Sequence, residues 1–139
     1  MKLELTTNPS VNDAKAISDG IINFNRHTVG LEPYDDEIKF SIFVKDNGLV
    51  VAGLRAVCYW NTLHIELLWL DESCRGQGVW CKSNQTNRRV CKRKGFEKSF
   101  VETTSWQAKP FYEKLGYQLQ YSIKDRPKGH EFFYLTKDL

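Results

Sequence analysis

Leu3, Leu5 and Thr7 alternate with polar neighbours as a short strand does, and Pro9-Ser10 followed by Asp13 marks a turn and a helix start. Val11, Ala14, Ile17, Ile21, Ile22 and Phe24 recur at steps near three and four, which places one apolar face on a helix ending around Thr28–Gly30. After a loop rich in acids, Lys39–Lys45 reads as a strand, Asp46-Asn47-Gly48 as a hairpin turn and Leu49–Trp60 as the returning strand. A second hairpin is expected at Asn61-Thr62. Leu63–Leu70 carries apolar residues on both faces, the pattern of a strand central in its sheet. Arg75-Gly76-Gln77-Gly78 is a glycine loop, and the stretch from there to Lys94, closed by Gly95, has the length of a helix. Ser99–Thr103 is another strand, Gln107–Leu115 a helix ended by Gly116, and Tyr117–Ile123 and Phe132–Thr136 are two last strands.

The predicted order is β α β β β α β α β β. It describes one α+β domain over residues 1–139, with a mixed, mostly antiparallel sheet of six to seven strands and helices packed against it. Length agrees, since 139 residues leave no room for a second core. The apolar share of 41% and charged share of 27% are those of a globular chain and exclude disorder. The run Ile65–Leu70 is broken by Glu66 and falls far short of a membrane span of about 20 residues. The N-terminus lacks a signal-peptide pattern, so a cytoplasmic location is expected. Cys58, Cys74, Cys81 and Cys91 contain no C-x-x-C pair and His27, His64 and His130 are scattered, so reduced thiols and no metal are expected.

Charge is uneven. The net is +3, yet Arg75–Lys98 holds eight basic residues against Glu97, a local +7 that leaves −4 for the rest. Such a block raises nucleic-acid or phosphate binding as a reading. The glycine loop between a strand and a helix also suits phosphate, because free backbone N–H groups and the helix dipole converge there. A short Gly-x-Gly is weak by itself, since turns use glycine for positive φ. Phe111-Tyr112-Glu113-Lys114-Leu115-Gly116-Tyr117, one strand later, adds a second feature.

Together these motifs resemble the GCN5-related N-acetyltransferase (GNAT) superfamily, in its small single-domain bacterial form. That superfamily pairs an Arg/Gln-x-x-Gly-x-Gly/Ala acyl-CoA loop with a later Phe-Tyr-x-x-x-Gly-Phe/Tyr helix. The likeness extends over nearly the whole chain, through Asp19-Gly20, Phe24-Asn25, Leu68-Trp69-Leu70-Asp71-Glu72, Trp106-Gln107-Ala108 and Pro127-Lys128-Gly129-His130. It implies acetyl-CoA as co-substrate and direct transfer of its acetyl group to a primary amine of a small molecule or peptide. Backbone groups of Leu68 and Leu70 would hold the pantetheine arm, and Arg75, Gly76, Gln77, Gly78, Val79 and Trp80 would surround the pyrophosphate. Tyr112 matches the tyrosine that protonates the leaving thiolate. The attacking ammonium must lose a proton. Glu66, an isolated acid in an apolar strand, is the first candidate base, with His64 the second through a water. A strand N–H near Leu70 would stabilise the oxyanion.

One segment departs from the pattern. The family has Gly or Ala where Trp80 stands, and Cys81–Lys94 offers almost no apolar face to a sheet. Reading the degenerate codons of Trp80–Lys94 one base later forces glycine at the first position. It also permits Gly-Ala-Ser-Leu-Ile-Lys-Leu-Ile-Glu-Glu-Cys-Ala-Arg-Glu-Lys, an amphipathic helix, before Gly95 resumes the frame. A compensated pair of frameshifts is therefore expected over Trp80–Lys94, and the +7 block then loses its meaning as a nucleic-acid signal. The alternative is a literal segment in a non-catalytic acyl-CoA or nucleic-acid binding module whose loop Trp80 impairs. Neither a membrane nor a nucleic-acid partner is expected on the first reading. Aromatics such as Trp60 or Trp106 leave a homodimer open.

Overall fold

A computed structural model describes residues 3–30, 37–74, 76, 89 and 91–139. The backbone divides into one unit ending at Asp35 and another running from Asp36 to Leu139. The first unit holds helix α1, Val11–Val29. Ser10 caps it, its side chain accepting the Asp13 N–H, and Gly30 closes it at φ 68°, a left-handed stop that glycine adopts without a Cβ clash. The strand expected at Leu3–Thr7 is not formed. Its alternation is real, but among the described residues its own unit holds no second strand to pair with.

The second unit is a six-stranded sheet built from β1 (Ile38–Asp46), β2 (Leu49–Tyr59), β3 (Thr62–Leu70), β4 (Lys98–Thr104), β5 (Gln118–Lys124) and β6 (Glu131–Asp138). Its order is β1-β2-β3-β4-β6-β5, with every neighbouring pair antiparallel except β3 and β4, which run parallel. This is the mixed, mostly antiparallel α+β arrangement expected from the sequence. Asn47 and Gly48 turn the first hairpin with φ of 47° and 85°, the two positive values that a two-residue turn demands. The second turn is Trp60-Asn61 rather than Asn61-Thr62, because Tyr59 pairs with Thr62 and both intervening residues take positive φ. Asn61 secures it: its side chain donates to Glu97 Oε2 at 2.9 Å and accepts the Glu97 N–H at 2.9 Å, while its carbonyl accepts from Lys98 N–H at 3.2 Å. The hairpin tip thereby pins the start of β4 beside β3.

One sheet face carries the core. Leu54, Ala56 and Cys58 of β2, Leu63 and Ile65 of β3, Val101 of β4 and Leu135 of β6 pack with Cys91, Phe96, Tyr112 and Tyr117. Ser99 and Tyr117 satisfy each other there through a buried hydroxyl pair at 2.7 Å. The contact with Cys91, and burial, push the Cys58 thiol up. Of the helix expected between the glycine loop and Lys94, residues 89 and 91–93 are helical and the remainder lies outside the described residues. Helix α2 spans Lys109–Lys114, shorter than the expected Gln107–Leu115. Residues 105–108 form turns instead, with the Thr103 hydroxyl accepting the Ala108 N–H at 3.2 Å and Pro110 in the first helical turn.

Candidate functional site

The parallel pair is where the sheet opens. β3 pairs with β4 only from Thr62 opposite Lys98 to Ile65 opposite Val101, yet β3 continues to Leu70 and β4 to Thr104. Beyond that register the two strands have no ladder between them, so residues 67–70 pair with β2 alone. The fork leaves about 16 Å of strand edge on β3 without a ladder partner on that side among the described residues. A free edge of that length fits an extended, amide-bearing arm such as pantetheine, which pairs as a strand would.

Leu68 and Leu70 lie on this edge, half-buried against the core. Glu66 sits at the mouth. Ile65 is opposite Ala56 and Leu67 opposite Arg55, so Glu66 is the extra residue of a β-bulge, a device that re-aims a side chain. Its carboxylate takes Arg55 Nε at 2.8 Å. His64, two residues earlier, has Nε2 3.5 Å from the Glu102 carboxylate and its ring tilted against Phe100 at 4.8 Å between centroids. Phe100 in turn stacks on Tyr134 at 5.9 Å and 9°. His64 pairs with Phe100 and therefore shares its face of the sheet, opposite to Leu63, Ile65 and Val101.

Tyr112 belongs to the core face. It is 4% exposed, wedged edge-on between Phe111 and Tyr117 at 5.4 and 5.6 Å. Burial, and then the neighbouring Tyr117, push its phenol up, so it stays protonated through the neutral range. Its carbonyl accepts the Tyr117 N–H at 3.0 Å, which fixes the end of α2 against the sheet. Tyr112 thus lies on the core face of the sheet, and Glu66 with His64 on the opposite face.

Gly76 takes φ 76° with open space around it, a conformation that favours glycine. Arg75, Gln77, Gly78, Val79 and Trp80 lie outside the described residues. Sequence reasoning found Glu66 as a lone acid in an apolar strand but passed over Glu102, which stands in the same pattern on β4, and over Arg55, whose pairing only the register discloses. Among the described residues no group of three or more His, Cys, Asp or Glu is arranged to hold a metal, and no helix is long and apolar enough to cross a membrane. An open pocket of about 400 Å³ lies at the β5–β6 hairpin tip, lined by Ser105, Asp125, His130 and Glu131 among others, directly after the end of β4.

Comparison with known proteins bears on this geometry. The model of the Acetyltransferase (GNAT) family matches residues 19–117. A blasticidin-S acetyltransferase from Streptomyces morookaense is 33% identical over 115 residues, 82% of this chain and 85% of its own. The crystal structure of an acetyltransferase from Bacillus cereus ATCC 14579 superimposes with a TM-score of 0.86 at 28% identity, covering 98% of both chains. A Bacillus anthracis str. Ames protein assigned as a streptothricin acetyltransferase and solved in complex with acetyl coenzyme A shares the fold, with a TM-score of 0.65 at 16% identity over 73% of this chain and 63% of its own.

Proposed function

The chain belongs to the GNAT acetyltransferase family, and from that premise we propose that it is an acetyl-CoA-dependent N-acetyltransferase whose acceptor is a primary amine of a small molecule, of the antibiotic class that blasticidin S represents. The observation that carries the acceptor class is the 33% identity to the blasticidin-S enzyme over 85% of that enzyme's length. Acetyl-CoA supplies the activated thioester. The chain's own residues do the rest. The free edge of β3 at Leu68 and Leu70 holds the extended arm, and a backbone N–H near Leu70 receives the carbonyl oxygen as charge develops on it. Tyr112, kept protonated by burial, donates to the departing sulfur. The face with Glu66 and His64 takes the proton of the incoming ammonium. Asp125 and Glu131 in the pocket after β4 suit a cationic acceptor. The loop Arg75–Trp80 cradles the pyrophosphate.

For that loop we propose that the natural chain carries glycine where Trp80 is printed, Trp80–Lys94 being a compensated pair of frameshifts. The forced glycine at the first shifted codon supports this, as does the return of well-matched sequence at Gly95. Resequencing the gene decides it: a base gained or lost near codon 80 and compensated near codon 94 is expected. An unshifted gene, together with an intact mass matching 16.2 kDa as printed, contradicts it and moves the reading to a non-catalytic binding module with a basic surface.

The activity is tested by incubating mass-verified protein with acetyl-CoA and a panel of amines headed by blasticidin S, following free CoA thiol and acetylated product. Product with at least one amine is expected. Absence of turnover across the panel, by protein that is folded, contradicts the proposal.

A further inference from the structure

The pocket of about 400 Å³ at the β5–β6 hairpin tip is lined by Ser105, Lys124, Asp125, Gly129, His130 and Glu131. Hydrogen bonds fix its walls. Ser105 brackets Glu131: its N–H donates to the Glu131 carbonyl at 2.9 Å, and its Oγ accepts the Glu131 N–H at 3.3 Å. The same Oγ lies 3.2 Å from His130 Nδ1, and Trp106 meets the His130 ring edge-on at 4.6 Å between centroids. At the tip, Asp125 Oδ1 accepts the Gly129 N–H at 3.0 Å and the Pro127 carbonyl accepts the His130 N–H at 2.9 Å.

The charges in this lining are of both signs and do not cancel. Neither Asp125 nor Glu131 has an ion pair among the described residues. Lys124 stands directly opposite Glu131 in the β5–β6 register, yet the two do not close into one. Two carboxylates against one ammonium leave the pocket negative, in a chain whose net charge is +3. Glu131 is half-buried, so less water screens its charge than screens that of an exposed carboxylate. The pocket also adjoins the fork. Ser105 follows Thr104, the last residue of β4, whose edge beyond Val101 faces the gap. Glu131 lies across the ladder from Ser105, about 5 Å away.

We propose that this pocket seats a second cationic nitrogen of the acceptor, with Glu131 and Asp125 as its specificity-determining contacts, while the reacting amine lies at the fork. This rests on the N-acetyltransferase reading and narrows it: the acceptors are small amines with two cationic nitrogens, the remote one an ammonium or a guanidinium. The remote nitrogen keeps its charge and forms no covalent bond. It donates charge-assisted hydrogen bonds to the two carboxylates, which sets how far the reacting amine reaches.

The test measures kcat/KM, at saturating acetyl-CoA, for α,ω-diaminoalkanes of increasing chain length and for monoalkylamines of equal length. Wild type is expected to prefer diamines, with an optimum at one length where the ratio to the monoamine reaches about tenfold. Glu131→Gln and Asp125→Asn are expected to bring that ratio several-fold closer to one. Asparagine tolerates the φ of 57° at position 125 and keeps an oxygen for the Gly129 N–H. Damage to the fold or to the reaction lowers both amines together and cancels in the ratio. A second readout needs no turnover: calorimetric titration of each diamine without acetyl-CoA is expected to show saturable binding that Glu131→Gln weakens about tenfold. Equal kcat/KM for diamines and monoamines overturns the proposal, as does a diamine preference that both variants retain. Wild type that acetylates no amine overturns the activity reading; saturable diamine binding that Glu131→Gln weakens then still supports the pocket, and its absence overturns the pocket as well.

Discussion

Tyr112 is a phenol that its surroundings keep neutral: with 4% of its surface exposed, ionising it would place a charge among Phe111, Tyr117 and the core. A proton donor to a thiolate needs that property. Tyr112→Phe removes the hydroxyl and little volume, so kcat is expected to fall about a hundredfold with KM for acetyl-CoA nearly unchanged, checked by steady-state kinetics. The same shift has a stability consequence. Its folded value lies above the unfolded one, so the folded protein holds the proton that the unfolded chain releases above about pH 10. The contribution is complete below that pH and is lost as pH rises, at up to about 1.4 kcal/mol per unit. Urea titrations from pH 9 to 11 are expected to show a shallower fall for Tyr112→Phe than for wild type. At this scale the sequence marked Tyr112 through its motif and Glu66 through its isolation. It could not mark Arg55 as the partner of Glu66 or Glu102 as the partner of His64, because those pairings depend on a bulge and on a parallel register between strands over 30 residues apart.

The elements owe their positions to a few backbone devices. Asn61 joins the β2–β3 turn to Glu97 and Lys98 by four hydrogen bonds, two of them through its side chain, and itself sits at φ 60°, so Asn61→Ala strains the turn and loosens the entry to β4. A loss of about 1–2 kcal/mol is expected by urea denaturation. Gly116 ends α2 at φ 86°, with the Lys137 side chain 3.1 Å from where a Cβ would stand. Gly116→Ala is expected to cost about 1–2 kcal/mol and, because α2 carries Tyr112, to lower kcat as well, measured on the same preparation. Strands and hairpins were legible from alternation and Asn-Gly chemistry. The register of β3 with β4 was not, since nothing local in either strand says where parallel pairing stops, and that stopping point makes the fork. The N-terminal alternation of Leu3, Leu5 and Thr7 misled for the converse reason: a period of two is necessary for a strand but supplies no partner.

For the whole molecule, the charge distribution and the acetyl-transfer reading meet in one segment. The +7 of Arg75–Lys98 falls on the part where the family pattern breaks, and the reading of codons 80–94 one base later permits an amphipathic helix in place of its basic run. On that account the chain is an ordinary member of its family and its surface has no special affinity for nucleic acid. The central claim is that the fork and its loop take acetyl-CoA. Isothermal titration of acetyl-CoA into protein expressed from the resequenced gene, its intact mass verified, tests this most directly. One site per chain with micromolar Kd is predicted, together with stabilisation of about 2.7 kcal/mol at a ligand concentration a hundred times Kd. A folded protein of the correct mass that takes up no acetyl-CoA would contradict the account.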